Sequence, residues 1–409
     1  MRKSNYINMF GPGLVMAAAG VGAGDIITSS MAGAKFGIAL LWVVIFGAIL
    51  KYVLNEGLIR WQVASGTTII ESWHTQISKW LSYGFLCYLI FWSIFVGGGL
   101  LTSMGILTQV IFKSLSIKQA GIICAVIVLG LVFTKSYKVF ENIMKVFVVV
   151  MFVGFVYGAL KVLPEIKILF PSFFIPVIPS GSMLYILGLI GGVGASLTIM
   201  CYGYWVREKG LDKLENFNVV RIDLGLGYVI TAVFNLSVLI IAAATCSTVA
   251  IKGIPGILLL AENLSKAIGL IGYWIFIIGF WGAIFSSLIS FFQAIPYLFC
   301  DIIATIKGCN TRERKKFVDM ANPWFWSYSL FLTFVSVFML QFKKPILFVM
   351  AFSVLGGVFM VFLSVVLLYL NNKKEVLGRL KNGIFVNILL CLNLLLFSVL
   401  LLQKIGKLL

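Results

Sequence analysis

Long apolar runs separated by short polar links set the pattern of this chain. A run of roughly 18 residues or more is long enough to cross a bilayer as helix. Such runs fall at about 10–32, 37–58, 82–112, 119–134, 141–163, 183–205, 221–247, 268–300, 324–342, 345–370 and 384–403. The pattern predicts an all-α polytopic membrane protein with about eleven transmembrane helices. The links are too short to fold as soluble domains. The longest charged one runs from Lys307 to Asp319 and holds Arg312, Glu313, Arg314, Lys315 and Lys316.

Two of the runs carry the same tetrapeptide near their middle, Gly20-Val21-Gly22-Ala23 in the first and Gly192-Val193-Gly194-Ala195 in the sixth. Glycine inside a helix costs about 1 kcal/mol against alanine. Interruptions at matching places in two halves of a chain are the mark of inverted-repeat transporters, whose broken helices meet at the bilayer midplane and hold the substrate. The expected organisation is a single transmembrane domain. Five spans at about 10–163 are repeated with inverted topology at about 183–370, and an extra helix follows at about 384–403.

Composition agrees with a membrane setting: the chain is 61% hydrophobic and 11% charged, with mean hydropathy +1.07. The formal charge of +18 does not point to nucleic acid, because the basic residues sit in the short links. If the N-terminus is cytoplasmic, 20 basic residues fall inside and 11 outside, with Lys51 alone within a span. That bias predicts a cytoplasmic N-terminus and an outside C-terminus, in a plasma or inner membrane. Met1-Arg2-Lys3 enters the first span without a small-residue cleavage site, so no removable signal peptide is expected. The seven cysteines are scattered without a Cys-x-x-Cys pattern, which suits small apolar fillers.

Asp25 is the carboxylate placed deep in a span, just after the first interruption. Ionisable residues there usually serve a substrate, ion or proton path. Aspartate also caps a restarting helix, and both roles fit Asp25. Thr198, Met200 and Cys201 follow the second interruption; helical spacing puts Thr198 nearest to it. Ser286 and Ser287 in the eighth run are candidates to hold Na⁺ with carbonyls of the first, or else bond within their own helix. Lys145 opens the fifth run, where it either snorkels to the surface or replaces a bound Na⁺. Glu56 and Asp223 read as interfacial, paired with Arg60 and Arg221. His74, the one histidine, lies outside the spans.

The chain resembles the Nramp family of divalent metal ion transporters, which share the leucine-transporter-type fold. The likeness rests on Gly11-Pro12-Gly13, Ala32-Gly33-Ala34-Lys35-Phe36-Gly37 with Leu41-Trp42, Arg221-Ile222-Asp223, and Ser286-Ser287. The family's first span carries Asp-Pro-Gly-Asn, and those positions here read Gly22-Ala23-Gly24-Asp25. Its sixth span carries Met-Pro-His, and those positions here read Thr198-Ile199-Met200, while Trp205 stands for a later histidine. The ligand set the resemblance implies is therefore Asp25, Thr198 and backbone carbonyls near Gly22 and Ala195. Oxygen donors of this kind suit Mg²⁺ or Mn²⁺ better than Fe²⁺ or Zn²⁺.

A second likeness is to amino-acid carriers of the same fold. They also have glycine-rich first and sixth spans, and Asn142-Ile143-Met144-Lys145 is similar to the start of their fifth span. The expected function is secondary active transport of a divalent metal ion by alternating access, coupled to H⁺ or Na⁺. The alternative is H⁺- or Na⁺-coupled transport of an amino acid or similar small zwitterion. No resident cofactor is expected. Neither is enzyme chemistry, since no nucleophile–base pair or phosphate loop stands out. The partners are the lipid bilayer and a small ion or molecule, not nucleic acid.

Overall fold

Polar residues at the ends of the apolar runs set where the helices start. The hydroxyls of Ser116 and Ser136 accept the N–H groups of Gln119 and Val139, and Asn310 and Asn322 cap the helices that follow them. These side chains satisfy N–H groups that lack a partner in a first turn. The computed structural model describes residues 10–192, 197–245, 253–342 and 345–405. Among these residues every regular element is a helix.

The first run forms α1 (Pro12–Gly20) and α2 (Ala23–Phe36), and the second forms α3 (Leu41–Ser65). A connecting helix, α4 (Ile69–Gln76), leads to α5 (Lys79–Ile111), α6 (Ile117–Phe133) and α7 (Tyr137–Lys161). Beyond α8 (Ile166–Phe174), the sixth run gives α9 (Met183–Gly192), a 3-10 turn (Leu197–Cys201) and α10 (Tyr202–Glu208). Next come α11 (Phe217–Thr245), α12 (Gly253–Ile268) and α13 (Leu270–Ile306). The chain continues through α14 (Thr311–Phe317), α15 (Pro323–Met339), α16 (Pro345–Leu370), α17 (Lys374–Leu377) and α18 (Ile384–Ile405).

Each of the expected spans carries helix. Six stretches of the described residues are long and apolar enough to cross a membrane by length and composition, or seven with the bent pair Val354–Leu370 and Lys374–Leu380. The fourth and eleventh expected spans are the shorter apolar helices Ile117–Phe133 and Ile384–Val399.

The two halves of the broken first span are gripped by α11 and α13. α11 packs on α1, α2, α3 and α7, while α13 packs on α1, α5, α7 and α15. Small residues make the first grip possible. A Cβ on Gly13 would stand 1.9 Å from the Asp223 carbonyl oxygen, and one on Gly33 would stand 2.3 Å from that of Leu239. Gly97 and Gly98 likewise admit Ser336 and Met339 of α15, whereas Gly357 faces open space. Phe155, Phe234 and Phe276 interlock edge-to-face where α7, α11 and α13 meet.

Candidate functional site

The site begins with a failure of helical hydrogen bonding. The Val21 N–H still reaches the Ala17 carbonyl at 3.2 Å, and the ladder resumes with the Ile26 N–H on Gly22 O. Between them Val21 and Gly22 are extended. In a continuous helix the Gly22 N–H would bond to Ala18 O. Here it donates to Asp25 Oδ2 at 2.9 Å. Asp25, the third residue of α2, is thus a cap of the restarting helix, and it is 6% exposed.

The carbonyls released by the break are met from α13. Ser286 Oγ donates to Ala18 O at 2.9 Å, and Ser287 Oγ donates to Val21 O at 2.8 Å and to Ala19 O at 3.3 Å. Both serines are buried, and Ser286 Oγ also donates to Ala283 O of its own helix at 3.0 Å. Ser287 also presses on the glycine: a Cβ at Gly22 would lie 3.2 Å from its Oγ. A turn beyond Asp25, Ser29 Oγ donates to Asn235 Oδ1 of α11 at 2.9 Å. The polar stripe of α2 is therefore turned toward protein, as a carboxylate at membrane depth requires.

On the sixth span, α9 ends at Gly192 and the 3-10 turn starts at Leu197. Val193, Gly194, Ala195 and Ser196 lie outside the described residues, and with them the expected carbonyl contribution near Ala195. Thr198 is partly exposed in the 3-10 turn, while Met200 and Cys201 are buried. Cys201 Sγ donates to Ala294 O at 3.6 Å, so its thiol is engaged in packing against α13. The Trp205 indole donates to Gln293 Oε1 at 2.9 Å. Among the described residues no group of three or more His, Cys, Asp or Glu side chains comes together as a metal cluster.

Lys145 is not brought to the serines. Its side chain is 34% exposed, and its Nζ pairs with Glu141 Oε1 at 2.5 Å. Glu141 also receives Lys209 at 2.7 Å, tying α7 to the end of α10. Glu56 pairs with Arg60 at 3.1 Å and Arg221 at 3.2 Å, as expected. Asp223 does otherwise: its carboxylate accepts the Gly11 N–H at 2.9 Å, the Gly13 N–H and the Tyr202 hydroxyl at 3.0 Å. It holds the start of α1 where an arginine partner was expected. His74 lies on α4, within 3.0 Å of Ser82 Oγ. Burial and the cations of Lys79 and Arg314 hold its imidazole below its ordinary pKa, which disfavours a proton there.

One charged residue of the core was used in the sequence reading only to balance the basic count. Lys51, in the middle of α3, is 0% exposed. Its Nζ lies 3.8 Å from Met360 Sδ of α16 and 5.4 Å from the centre of the Phe397 ring of α18. A lysine at a span centre costs about 2.5–3.5 kcal/mol on insertion scales, so its presence at that depth was itself the signal.

The sequence profile of the natural resistance-associated macrophage protein-like family matches residues 13–406. A divalent metal cation transporter MntH of Chromohalobacter salexigens is 24% identical over 253 residues, covering 59% of this chain and 58% of the relative. One from Staphylococcus aureus is 24% identical over 264 residues, covering 59% and 56%. The chain thus spans a little over half the length of these curated relatives. A manganese transporter of Eremococcus coleocola superposes with TM-score 0.77 at 15% identity, over 99% of this chain and 87% of the other. The nucleobase-cation-symport-1 family transporter Mhp1 superposes with TM-score 0.54 at 11% identity, over 100% and 95%. At these identities the superpositions speak for the fold, a leucine-transporter-type arrangement.

Proposed function

Since this chain belongs to the Nramp family, we propose that it moves a divalent metal ion across the membrane by alternating access, with Asp25 and Thr198 among the groups that hold the ion. It is a multi-pass membrane protein. The observation that carries the reading is the buried Asp25 carboxylate at the interruption of the first span, beside carbonyls released from helical bonding. Buried charge and freed carbonyl oxygens in one place are the ingredients of a midplane cation site. The relatives named as divalent metal cation transporters support the choice of substrate class.

The donors are oxygens, so the favoured ions are hard ones such as Mn²⁺ or Mg²⁺. Asp25 supplies the charge, Thr198 a hydroxyl, and the backbone near Gly22 and Ala195 the carbonyls. The role is transport and not catalysis, with H⁺ or Na⁺ as the coupling ion and no resident cofactor. We place the protein in the plasma membrane with its N-terminus cytoplasmic, on the basic-residue bias of the links.

The test is a thermal-stability screen of the purified chain, followed by uptake into liposomes. A ligand of the folded state at a hundredfold excess over its Kd raises stability by about 2.7 kcal/mol. Stabilisation by Mn²⁺ or Mg²⁺ and uptake of the same ion are expected. Stabilisation by amino acids with no response to any divalent cation would overturn the reading.

A further inference from the structure

The longest charged link of the chain carries a helix clamped to the bundle. α14 (Thr311–Phe317) lies between the end of α13 and the start of α15. Asn310 caps it, and Glu313 reaches back to accept the Asn310 N–H at 3.1 Å. Helical spacing divides its basic side chains between two faces. Arg314 is buried: it binds Asp301 of α13, its Nη2 donates to Thr305 Oγ1 at 2.9 Å, and its Nε lies 3.3 Å from Glu71 Oε2 of α4. Just past the helix, the Val318 carbonyl accepts from the Arg207 guanidinium of α10. Arg312, Lys315 and Lys316 stand at i, i+3 and i+4, which is one face, and Arg314 is opposite. All three are exposed, and none pairs with a carboxylate among the described residues. Beside them Lys307, the first residue after α13, holds its Nζ 5.3 Å from the centre of the Phe317 ring and 4.8 Å from that of Trp324. Trp324 is the second residue of α15 and is 41% exposed. A tryptophan between a span and a basic link belongs at the level of lipid head groups.

We infer that the outer face of α14 binds the head groups of anionic phospholipids, with phosphates on Arg312, Lys315 and Lys316 and with Lys307 at its edge. Charge complementarity selects the partner. Four basic side chains next to a span end are drawn to an anionic leaflet, each by about 1 kcal/mol near the surface. A zwitterionic head group such as phosphocholine has no net charge to offer them. The bias of basic residues toward one side of a membrane would be met by a loose loop. It does not call for a capped helix with a buried arginine beneath it. The clamp fixes three cations on one face before lipid arrives, which lowers the ordering cost of binding. It also carries the effect inward: whatever holds α14 holds α13 and α4 through Arg314. Anionic lipid therefore stabilises the end of the bundle where the ion pairs gather. The inference is independent of what the protein carries.

The experiment measures the melting temperature of the full chain in nanodiscs of phosphatidylcholine alone and of phosphatidylcholine mixed with phosphatidylglycerol. The samples are the parent, the α14 variant Arg312→Gln/Lys315→Gln/Lys316→Gln, and a control that removes three exposed lysines of other links, Lys113→Gln/Lys118→Gln/Lys167→Gln. Phosphatidylglycerol should raise the melting temperature of the parent by several degrees, and high salt should shrink that gain. The α14 variant should lose at least half of the gain, and the control should keep it. An undiminished gain in the α14 variant, or an equal loss in the control, overturns the inference, since the lipid would then act elsewhere or on net charge alone. No gain in the parent overturns it too. So does a gain that free glycerol phosphate reproduces in phosphatidylcholine discs, because the ligand would then be a soluble anion. Native mass spectrometry of protein released from the mixed discs supplies a reading that does not depend on stability. The parent should retain at least threefold more phosphatidylglycerol than the α14 variant, and equal retention defeats the site.

Discussion

At the scale of single residues, Asp25 combines two tasks that substitution can separate. Its carboxylate accepts the Gly22 N–H and so caps α2, and it brings the negative charge. Asparagine keeps an acceptor oxygen for the cap and loses the charge. Asp25→Asn should therefore retain a melting temperature within a few degrees of the parent while uptake falls at least tenfold. Asp25→Ala should lose uptake as well and in addition lose about 1 kcal/mol of stability, the usual worth of a cap. Undiminished uptake by Asp25→Asn would reduce the residue to its capping role. On the family resemblance Thr198 takes the place of a sulfur ligand, and a hydroxyl gives no preference for soft ions. Thr198→Met should raise the affinity for Cd²⁺ relative to Mg²⁺ by about tenfold, read by competition binding. Tight Cd²⁺ binding by the parent would instead point to Met200 or Cys201. An aspartate at 22, the other residue the family resemblance would restore, needs Ser287 to give by a few tenths of an ångström, because its Oγ stands 3.2 Å from the place of the added Cβ.

At the scale of elements, the serine pair of α13 replaces what the break in the first span removes. A buried carbonyl left without a donor costs about 1–3 kcal/mol, and Ser287 serves both Val21 O and Ala19 O. Ser287→Ala should lower stability by roughly that amount. The same hydroxyl and carbonyls form the candidate Na⁺ position, whereas Lys145 is drawn off to Glu141. Uptake should accordingly respond to an imposed Na⁺ gradient. Ser287→Ala should weaken that response at least threefold, and Lys145→Ala should leave it intact. Uptake that follows only a pH gradient in all three proteins would remove the serines from coupling. These features were legible in the sequence for a local reason. Glycine pairs and a lone carboxylate stand out in an apolar run, and hydroxyl pairs in a span need an acceptor. The connecting helices α8 and α12 were not legible, because a search for runs long enough to span a bilayer passes over shorter ones. Lys51 was visible but unplaced, since a lysine stem can carry its ammonium in several directions from one backbone position.

At the scale of the whole molecule, the ion pairs gather at the end of the bundle to which the basic links belong. Glu141 joins Lys145 and Lys209, Glu56 joins Arg60 and Arg221, and Asp223 holds the start of α1. Arg314 of α14 binds Asp301 of α13 and Glu71 of α4, and the Tyr204 hydroxyl of α10 donates to Asp301 at 2.8 Å. Apart from the pairs within one helix turn, these partners are 13 to 212 positions apart where the structure gives a hydrogen bond. No local pattern foretells such pairings; they depend on how the helices are set against one another. The result is a tie between the first, second, fifth, sixth, seventh and eighth spans at one end; on the proposed transport function it must open for a substrate to leave there. Asp223 is the test position. It joins α1, α10 and α11 through two backbone N–H groups and the Tyr202 hydroxyl, so its loss loosens three elements together. Cys201 reports on the opening, because its thiol is 0% exposed beside α10. In Asp223→Ala a small water-soluble thiol reagent should modify Cys201 at least fivefold faster than in the parent, and excess Mn²⁺ should change that rate. A rate equal to the parent's would mean that this end stays shut without the Asp223 tie, and the gate would have to be sought among the Arg314 contacts.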